Sequence, residues 1–231
     1  MTMRSSRNRI IIRTSLVKIK NHFKGRGCEY RLYCICQLFF QYIPPMHIID
    51  NASTDYAYLE DWIADSAIFN DEVYGDYSFH IARVPDSFTD LVIPIVENKL
   101  ESKIDVKYDF LRLYTKYKDT GIRIHTDAMM ADYAWVLYFS DPPDNEEDYG
   151  TSFFSHYIHG KSFPPDNIDE NNRLLIEDSH EPLKWKMYDM CKLKKNRMLI
   201  FSAEFFHSRY PFKSWGNDKT DGRIVYVGFF N

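Results

Sequence analysis

The chain has 231 residues, of which 16% are aromatic, ten are proline and 27% are charged, with a formal net charge of -4. Aromatic richness and prolines scattered among short apolar runs exclude a helical bundle and predict a β-rich globular protein, mainly β with flanking helices. The length suffices for one full hydrophobic core. The most apolar window, YCICQLFFQYIPPMHII, is too short for a membrane span and is interrupted by Gln37, Gln41 and two prolines.

The mild net charge hides an asymmetry. Residues 1–45 carry nine Lys/Arg against the single acid Glu29, which leaves the remainder of the chain strongly acidic. This segment reads as a basic N-terminal extension, poorly ordered, and the domain starts near residue 46. Its Arg/Ser richness also suits a transit peptide, and its charge suits an arm through which nucleic acid would bind. Arg13 and Lys18 break the apolar core that a signal peptide needs. His22, Cys28, Cys34 and Cys36 have the spacing of no common zinc finger. Without an evenly spaced cysteine framework the chain reads as cytoplasmic, in a reducing compartment, and Cys191 as a buried small hydrophobe.

From Met46 the sequence reads as a short strand, a polar turn and a helix. Ser53 or Thr54 supplies its cap, Asp55 its first turn, and Leu59, Trp62, Ile63 and Ala67 its buried stripe. The run YGDYSFHIARVP alternates as a strand. A second helix follows around Leu91 to Leu100, with Pro94 in its first turn or bending it. From Tyr108 onward the apolar period is two, in YDFLRLYTKY, IRIHTD, YAWVLYFS, TSFFSHYI, RMLIFS and RIVYVGFF. Two early helices followed by six or more strands describe a sheet sandwich or barrel with helices packed outside. DPPDNEEDYG reads as a solvated acidic loop, and Tyr133 and Trp135 as core.

One pair within this pattern carries chemistry. On a strand, residues i and i+2 share a face, so His125 and Asp127 project together. A neutral imidazole beside a carboxylate suits a divalent first-row metal. The third ligand is His207, just past the strand-like RMLIFS. Two histidines and one carboxylate on one face leave three coordination positions open, as in non-haem Fe(II) oxygenases. A keto-acid co-substrate would fill two of them, and its distal carboxylate would need a buried, forked cation. Arg223 opens the last strand and suits that task, with Val225, Val227 and Phe229 facing the same interior.

The set HTD, YAWVLYFS, YGTSFF, RMLIFSAEFFHSRYP and GRIVYVGFF resembles the Fe(II)- and 2-oxoglutarate-dependent dioxygenases, in particular their prolyl 4-hydroxylase-like branch. The resemblance covers residues 46–231 and implies a double-stranded β-helix, or jelly-roll, core. It implies that His125, Asp127 and His207 bind Fe(II) and that Arg223 anchors 2-oxoglutarate, assisted by Tyr138 and by Tyr117. It implies hydroxylation of a C–H bond, on a peptidyl prolyl or other amino-acid side chain or a small molecule, consuming O2 and releasing succinate and CO2, with ascorbate as reductant. Three departures stand out. Tyr149-Gly150 replaces the usual glycine pair, KSWGNDKTD lengthens the stretch before Arg223 and leaves Arg209 as a rival anchor, and position 229 is phenylalanine where the nucleic-acid demethylase branch has a second arginine. The alternative reading is a non-catalytic jelly-roll binding module with a vestigial metal site. His156 and His159, three residues apart, share no strand face and read as surface or substrate-side residues. His22, His47, His80 and His180 read as ordinary, and Met129 and Met130 as the pocket mouth.

Overall fold

Strand alternation divides the side chains of the central strands between two cores. The computed structural model describes residues 46–231 apart from 75–76, 119–120, 122, 144–147, 161–163 and 165–167. The basic extension, with its transit-peptide, nucleic-acid and zinc readings, and part of the acidic loop therefore lie outside the described residues. In chain order the elements are β1 (His47–Asp50), α1 (Tyr56–Ser66), β2 (Asn70–Tyr74), β3 (Tyr77–Ala82), α2 (Asp86–Leu100), β4 (Val106–Tyr114), β5 (Tyr133–Tyr138), β6 (Gly150–His156), α3 (Ile168–Asn172), β7 (Trp185–Lys192), β8 (Arg197–Ser202), β9 (His207–Tyr210) and β10 (Arg223–Phe230).

A seven-stranded sheet runs β1-β8-β5-β10-β4-β3-β2, and a three-stranded sheet runs β7-β6-β9. Every strand pairing is antiparallel. On the outer face of the large sheet, Leu111, Leu113, Trp135, Leu137, Ile200 and Tyr226 pack against Leu59 and Ile63 of α1 and Phe88, Val92 and Val96 of α2. On the inner face, Tyr114, Val136, Tyr138, Phe201, Val225 and Phe229 meet Phe153 and Cys191 of the small sheet. Two antiparallel sheets face to face, with helices on one outer surface, form the jelly-roll sandwich. Val225 and Phe229 are buried on the inner face and Val227 packs against them, as the alternation requires. Among the described residues no helix is long and apolar enough to cross a membrane.

The details depart from the sequence reading at several places. Asp55, not Ser53 or Thr54, is the N-cap of α1, and Ser53 Oγ instead accepts the Asp55 N–H at 3.2 Å. Helix α2 begins at Asp86 and holds Pro94 in its interior. Pro94 is exposed, as is Asp90 one turn earlier, so water can satisfy the carbonyl that the proline leaves unpaired. Strands β2, β7 and β9 were not anticipated, whereas the described residues of the IRIHTD segment form no strand. The long stretch between β9 and β10 braces the helix layer. Lys219 Nζ donates to the carbonyls of Ile63 (3.2 Å) and Ala67 (3.1 Å), capping the C-terminal end of α1.

Trp135 and Gly228 sit opposite each other on β5 and β10, and the fully buried indole occupies the space above the glycine. A Cβ at position 228 would lie 2.0 Å from the indole Cζ2. Phe230 stacks on the same indole with ring centroids 5.5 Å apart, so the ring has little room to yield. Gly228→Ala should therefore lower the unfolding free energy by about 2–3 kcal/mol, read from the urea midpoint. An unchanged midpoint would show that the indole moves aside freely.

Candidate metal centre

The ligand-bearing segments are distant in sequence and meet at a single bridge beside β9 of the small sheet. His125 and His207 pair as an isolated antiparallel bridge, with His125 N–H donating to His207 O at 3.0 Å and His207 N–H to His125 O at 2.8 Å. Two residues on, Asp127 N–H donates to Ala203 O at 2.8 Å. The common orientation of His125 and Asp127 thus comes from this bridge and not from a strand, which corrects the sequence reading. Hydrophobic neighbours fix which way the ligands point. Ile124 and Phe206, adjacent to the two histidines, are fully buried in a separate cluster with Phe154, Leu174 and Trp185.

The three side chains converge. The imidazole centroids are 4.5 Å apart. His125 Nε2 lies 3.6 Å from Asp127 Oδ1, and His207 Nε2 lies 3.2 Å from Asp127 Oδ2. One ligand atom from each residue falls within 4.8 Å of the others, the only such His/Cys/Asp/Glu group of three among the described residues. Each Nδ1 faces a backbone carbonyl, Arg123 O at 3.2 Å for His125 and Phe205 O at 2.8 Å for His207. A carbonyl can only accept, so each Nδ1 carries the proton and each Nε2 turns its lone pair toward Asp127. This is the tautomer and the second contact that metal-bound histidines need.

The electrostatics favour the ligating protonation states. Burial, reinforced by His207, lowers the pKa of His125 to about 3. Burial pushes the Asp127 carboxyl up, but the attraction of His207, and after it of His125, prevails and holds it at about 2. A neutral imidazole and an ionised carboxylate bind a cation without first losing protons.

Deeper between the sheets lies a second polar group. Arg223 is 2% exposed and donates from Nη2 to Gly150 O at 3.0 Å, while its buried Nε and Nη1 have no protein partner. Burial lowers its pKa, and Tyr114 and Tyr138 oppose that shift. Tyr138 is fully buried and donates to Thr151 Oγ1 at 2.8 Å. Cys191 is buried beside it, and burial pushes the thiol up to about 11, in keeping with an inert packing role. Arg209, the rival anchor, donates from one nitrogen, Nη2, to both Gly121 O (2.8 Å) and Phe212 O (2.9 Å).

Tyr117 is not brought to this group. It is 72% exposed in the turn after β4, where its N–H donates to Thr115 Oγ1. The β4 tyrosine that does reach Arg223 is Tyr114, whose ring centroid is 5.5 Å from the Arg223 Cζ, 4.7 Å from that of Arg112 and 4.9 Å from that of Arg209. Tyr114, Thr151 and Arg112 escaped the sequence reading; a register count from Arg223 across β10 to Tyr114 would have found the first. His156 is buried and pairs with Asp178 at 3.0 Å, apart from the triad. Tyr133, expected in the core, is 38% exposed, and Met129 is fully exposed after the Asp127 turn. A hollow of about 650 Å³ beside the β9–β10 loop is lined by Lys116, Tyr149, Trp215 and Lys219 among others, and the triad takes no part in it.

No protein-family model matches the chain, and no curated protein matches it. Solved structures do. An oxidoreductase of the 2OG-Fe(II) oxygenase family from Burkholderia pseudomallei has 11% identity and a TM-score of 0.49, over 80% of this chain and 85% of its own. The non-heme alpha ketoglutarate dependent epimerase SnoN from nogalamycin biosynthesis has 13% identity and a TM-score of 0.47, over 80% and 77%. HygX from Streptomyces hygroscopicus, solved with nickel, 2-oxoglutarate and hygromycin B, has 10% identity and a TM-score of 0.46, over 80% and 82%. At these identities and TM-scores neither activity nor substrate transfers to this chain.

The depressed pKa of His125 has a consequence for the metal-free protein. Below the ordinary histidine pKa of 6.5 the unfolded chain takes up a proton at this residue, while the folded chain resists doing so until about pH 3. Stability should therefore fall as pH drops through that window, by up to about 1.4 kcal/mol per pH unit from this residue. Urea unfolding of the metal-free protein between pH 7 and pH 4 should show a shallower decline in His125→Gln than in the native sequence. Equal slopes would contradict the buried neutral imidazole.

Proposed function

We propose that this chain is an Fe(II)- and 2-oxoglutarate-dependent dioxygenase of the prolyl 4-hydroxylase-like branch, hydroxylating an unactivated C–H bond. The observation that carries this reading is the buried, incompletely partnered guanidinium of Arg223 and its distance from the triad. On β6, Phe153 pairs with His207, and Gly150, three residues along, accepts from Arg223. Three residues of strand span roughly 10 Å. A five-carbon dicarboxylate chelating a metal through its keto-acid end reaches across that interval with its other carboxylate.

Both groups fit the residues present. The Nε2 atoms of His125 and His207 and the carboxylate of Asp127 would hold Fe(II), leaving one face of the ion open. Arg223 would hold the distal carboxylate through Nε and Nη1, which have no protein partner. Tyr138 and Tyr114 wall that end of the pocket, and the Tyr138–Thr151 hydrogen bond fixes the phenol in place. Bound together, iron, 2-oxoglutarate and O2 supply the oxidising chemistry, R–H + 2-oxoglutarate + O2 giving R–OH + succinate + CO2. The protein contributes the arrangement: two tautomer-locked imidazoles, one ionised carboxylate and an inner face lined by Val136, Phe201 and Phe153 that excludes water. The substrate class implied by the sequence resemblance, a peptidyl prolyl or other amino-acid side chain, belongs to this reading and is tested by a panel of peptides and free amino acids.

Two variants separate the roles. Asp127→Ala should abolish succinate release and weaken Fe(II) binding, and normal succinate release from it would remove the enzyme reading. Arg223→Met should keep Fe(II) binding but weaken 2-oxoglutarate binding by about 100-fold, or roughly 2.7 kcal/mol, the scale of one or two charge-assisted hydrogen bonds. Calorimetric titration of the metal-loaded protein measures this, and undiminished affinity would reject Arg223 as the anchor. A native protein that binds Fe(II) but releases no succinate from 2-oxoglutarate would favour the binding-module alternative.

A further inference from the structure

We propose that Asp178 is a positioning residue of the metal centre, acting on His125 through the single peptide group that joins Arg123 to Ile124. The C=O of that group faces His125 Nδ1 at 3.2 Å and accepts its proton, and its N–H donates to Ser179 O at 2.9 Å. A peptide group is planar, so its two contacts turn together. Whatever fixes the Ser179 carbonyl therefore also fixes the carbonyl that sets the tautomer and ring orientation of His125. The bridge to His207 holds the next residue of the same segment. The inference needs the triad to bind a metal, and to that extent it rests on the reading above.

Ser179 does not hold itself in place, because its buried Oγ has no partner. Its neighbour Asp178 supplies the hold. Asp178 is buried, and each of its polar atoms is engaged. Its N–H donates to Arg173 O at 3.1 Å, and its O accepts from the Glu181 N–H at 3.0 Å and from Trp185 Nε1 at 2.9 Å. Its carboxylate accepts from His156 Nε2 at 3.0 Å and from Lys184 Nζ at 2.6 Å. His156 ends β6 and Trp185 opens β7, so Asp178 ties the stretch after α3 to two strands of the small sheet. The third strand, β9, carries His207. One sheet thus places both imidazoles, one directly and the other through Asp178. Packing alone does not call for a carboxylate here. The surroundings are the apolar cluster of Ile124, Phe154, Leu174, Trp185 and Phe206, and a buried charge contributes little net stability compared with an apolar side chain of similar volume. What the carboxylate adds is direction, because it fixes where the next carbonyl points.

The test measures Fe(II) affinity and, in the Zn(II)-loaded protein, the NMR signals of the two ligand Nδ1 protons. Asp178→Asn should weaken Fe(II) binding by roughly tenfold. It should also broaden the Nδ1 proton of His125 by exchange with water, while that of His207, held by Phe205 O, stays sharp. In Asp178→Asn/Lys184→Gln the two amides can bond each other, and both readouts should recover in part. Lys184→Met keeps the Asp178–His156 pair and should move both readouts the same way by less, which decides the matter if Asp178→Asn does not fold. Gly228→Ala, destabilised at a distance from the metal centre, should keep native affinity and both signals. Native affinity with a sharp His125 signal in Asp178→Asn, or in Lys184→Met where that is the variant that folds, would overturn the proposal. So would equal broadening of both histidine signals, or an equal loss of affinity in Gly228→Ala, since either would make the effect a general loosening. The readouts are metal binding and not turnover, so they decide the inference even if the native protein releases no succinate. A native protein that binds neither ion would overturn it together with the dioxygenase reading.

Discussion

The site depends on one pair of backbone hydrogen bonds. His125 and His207 are far apart in sequence, yet the N–H of each donates to the carbonyl of the other. The bridge sets the spacing of the two imidazoles before any metal arrives, and the Asp127 to Ala203 hydrogen bond places the carboxylate in the same frame. The ring nitrogens remote from the centre are committed to carbonyls of the same two segments. Position, rotamer and tautomer of the ligands are thus all fixed by main chain, which no side-chain substitution elsewhere directly removes.

From that bridge the chemistry is laid out along a depth axis. At one level sit the triad and the rings of Phe153 and Phe201; three residues deeper on β6 sits the Arg223 guanidinium. A buried cation with two unpartnered N–H groups is costly to keep in a hydrophobic sandwich unless an anion meets it. Tyr114 is the hub on the β4 side, with Arg112, Arg209 and Arg223 all close to its ring. The three arginines are not equivalent. Arg209 gives Nη2 to two backbone carbonyls, Arg223 is sealed, and Arg112 is half-buried.

Much of this was legible in the sequence because the ligands are short-range signals. His125 and Asp127 stand two apart, His207 follows an apolar run, and Arg223 opens a strand whose alternation continues to the chain end. Other features left no local trace. The alternation in YDFLRLYTKY runs unbroken through Tyr117, although pairing stops at Tyr114 and the Thr115 hydroxyl turns the chain away. Strand β7 was missed because most of WKMYDMCK is exposed at the edge of the small sheet, so no two-fold burial pattern marks it. Pro94 suggested a helix start or a bend, yet it sits within a longer helix on the solvent face, where only its position in space makes it harmless. The place of Arg112, opposite Val225 of β10 and Ile81 of β3, depends on register, information that no single segment contains.

The most direct test of the central claim is an anaerobic titration of the Fe(II)-loaded protein with 2-oxoglutarate, followed by visible absorption. If the triad and Arg223 share one chelating co-substrate, a metal-to-ligand charge-transfer band should grow in and saturate at one equivalent per chain. A protein that binds Fe(II) tightly but develops no such band at saturating 2-oxoglutarate would contradict the account.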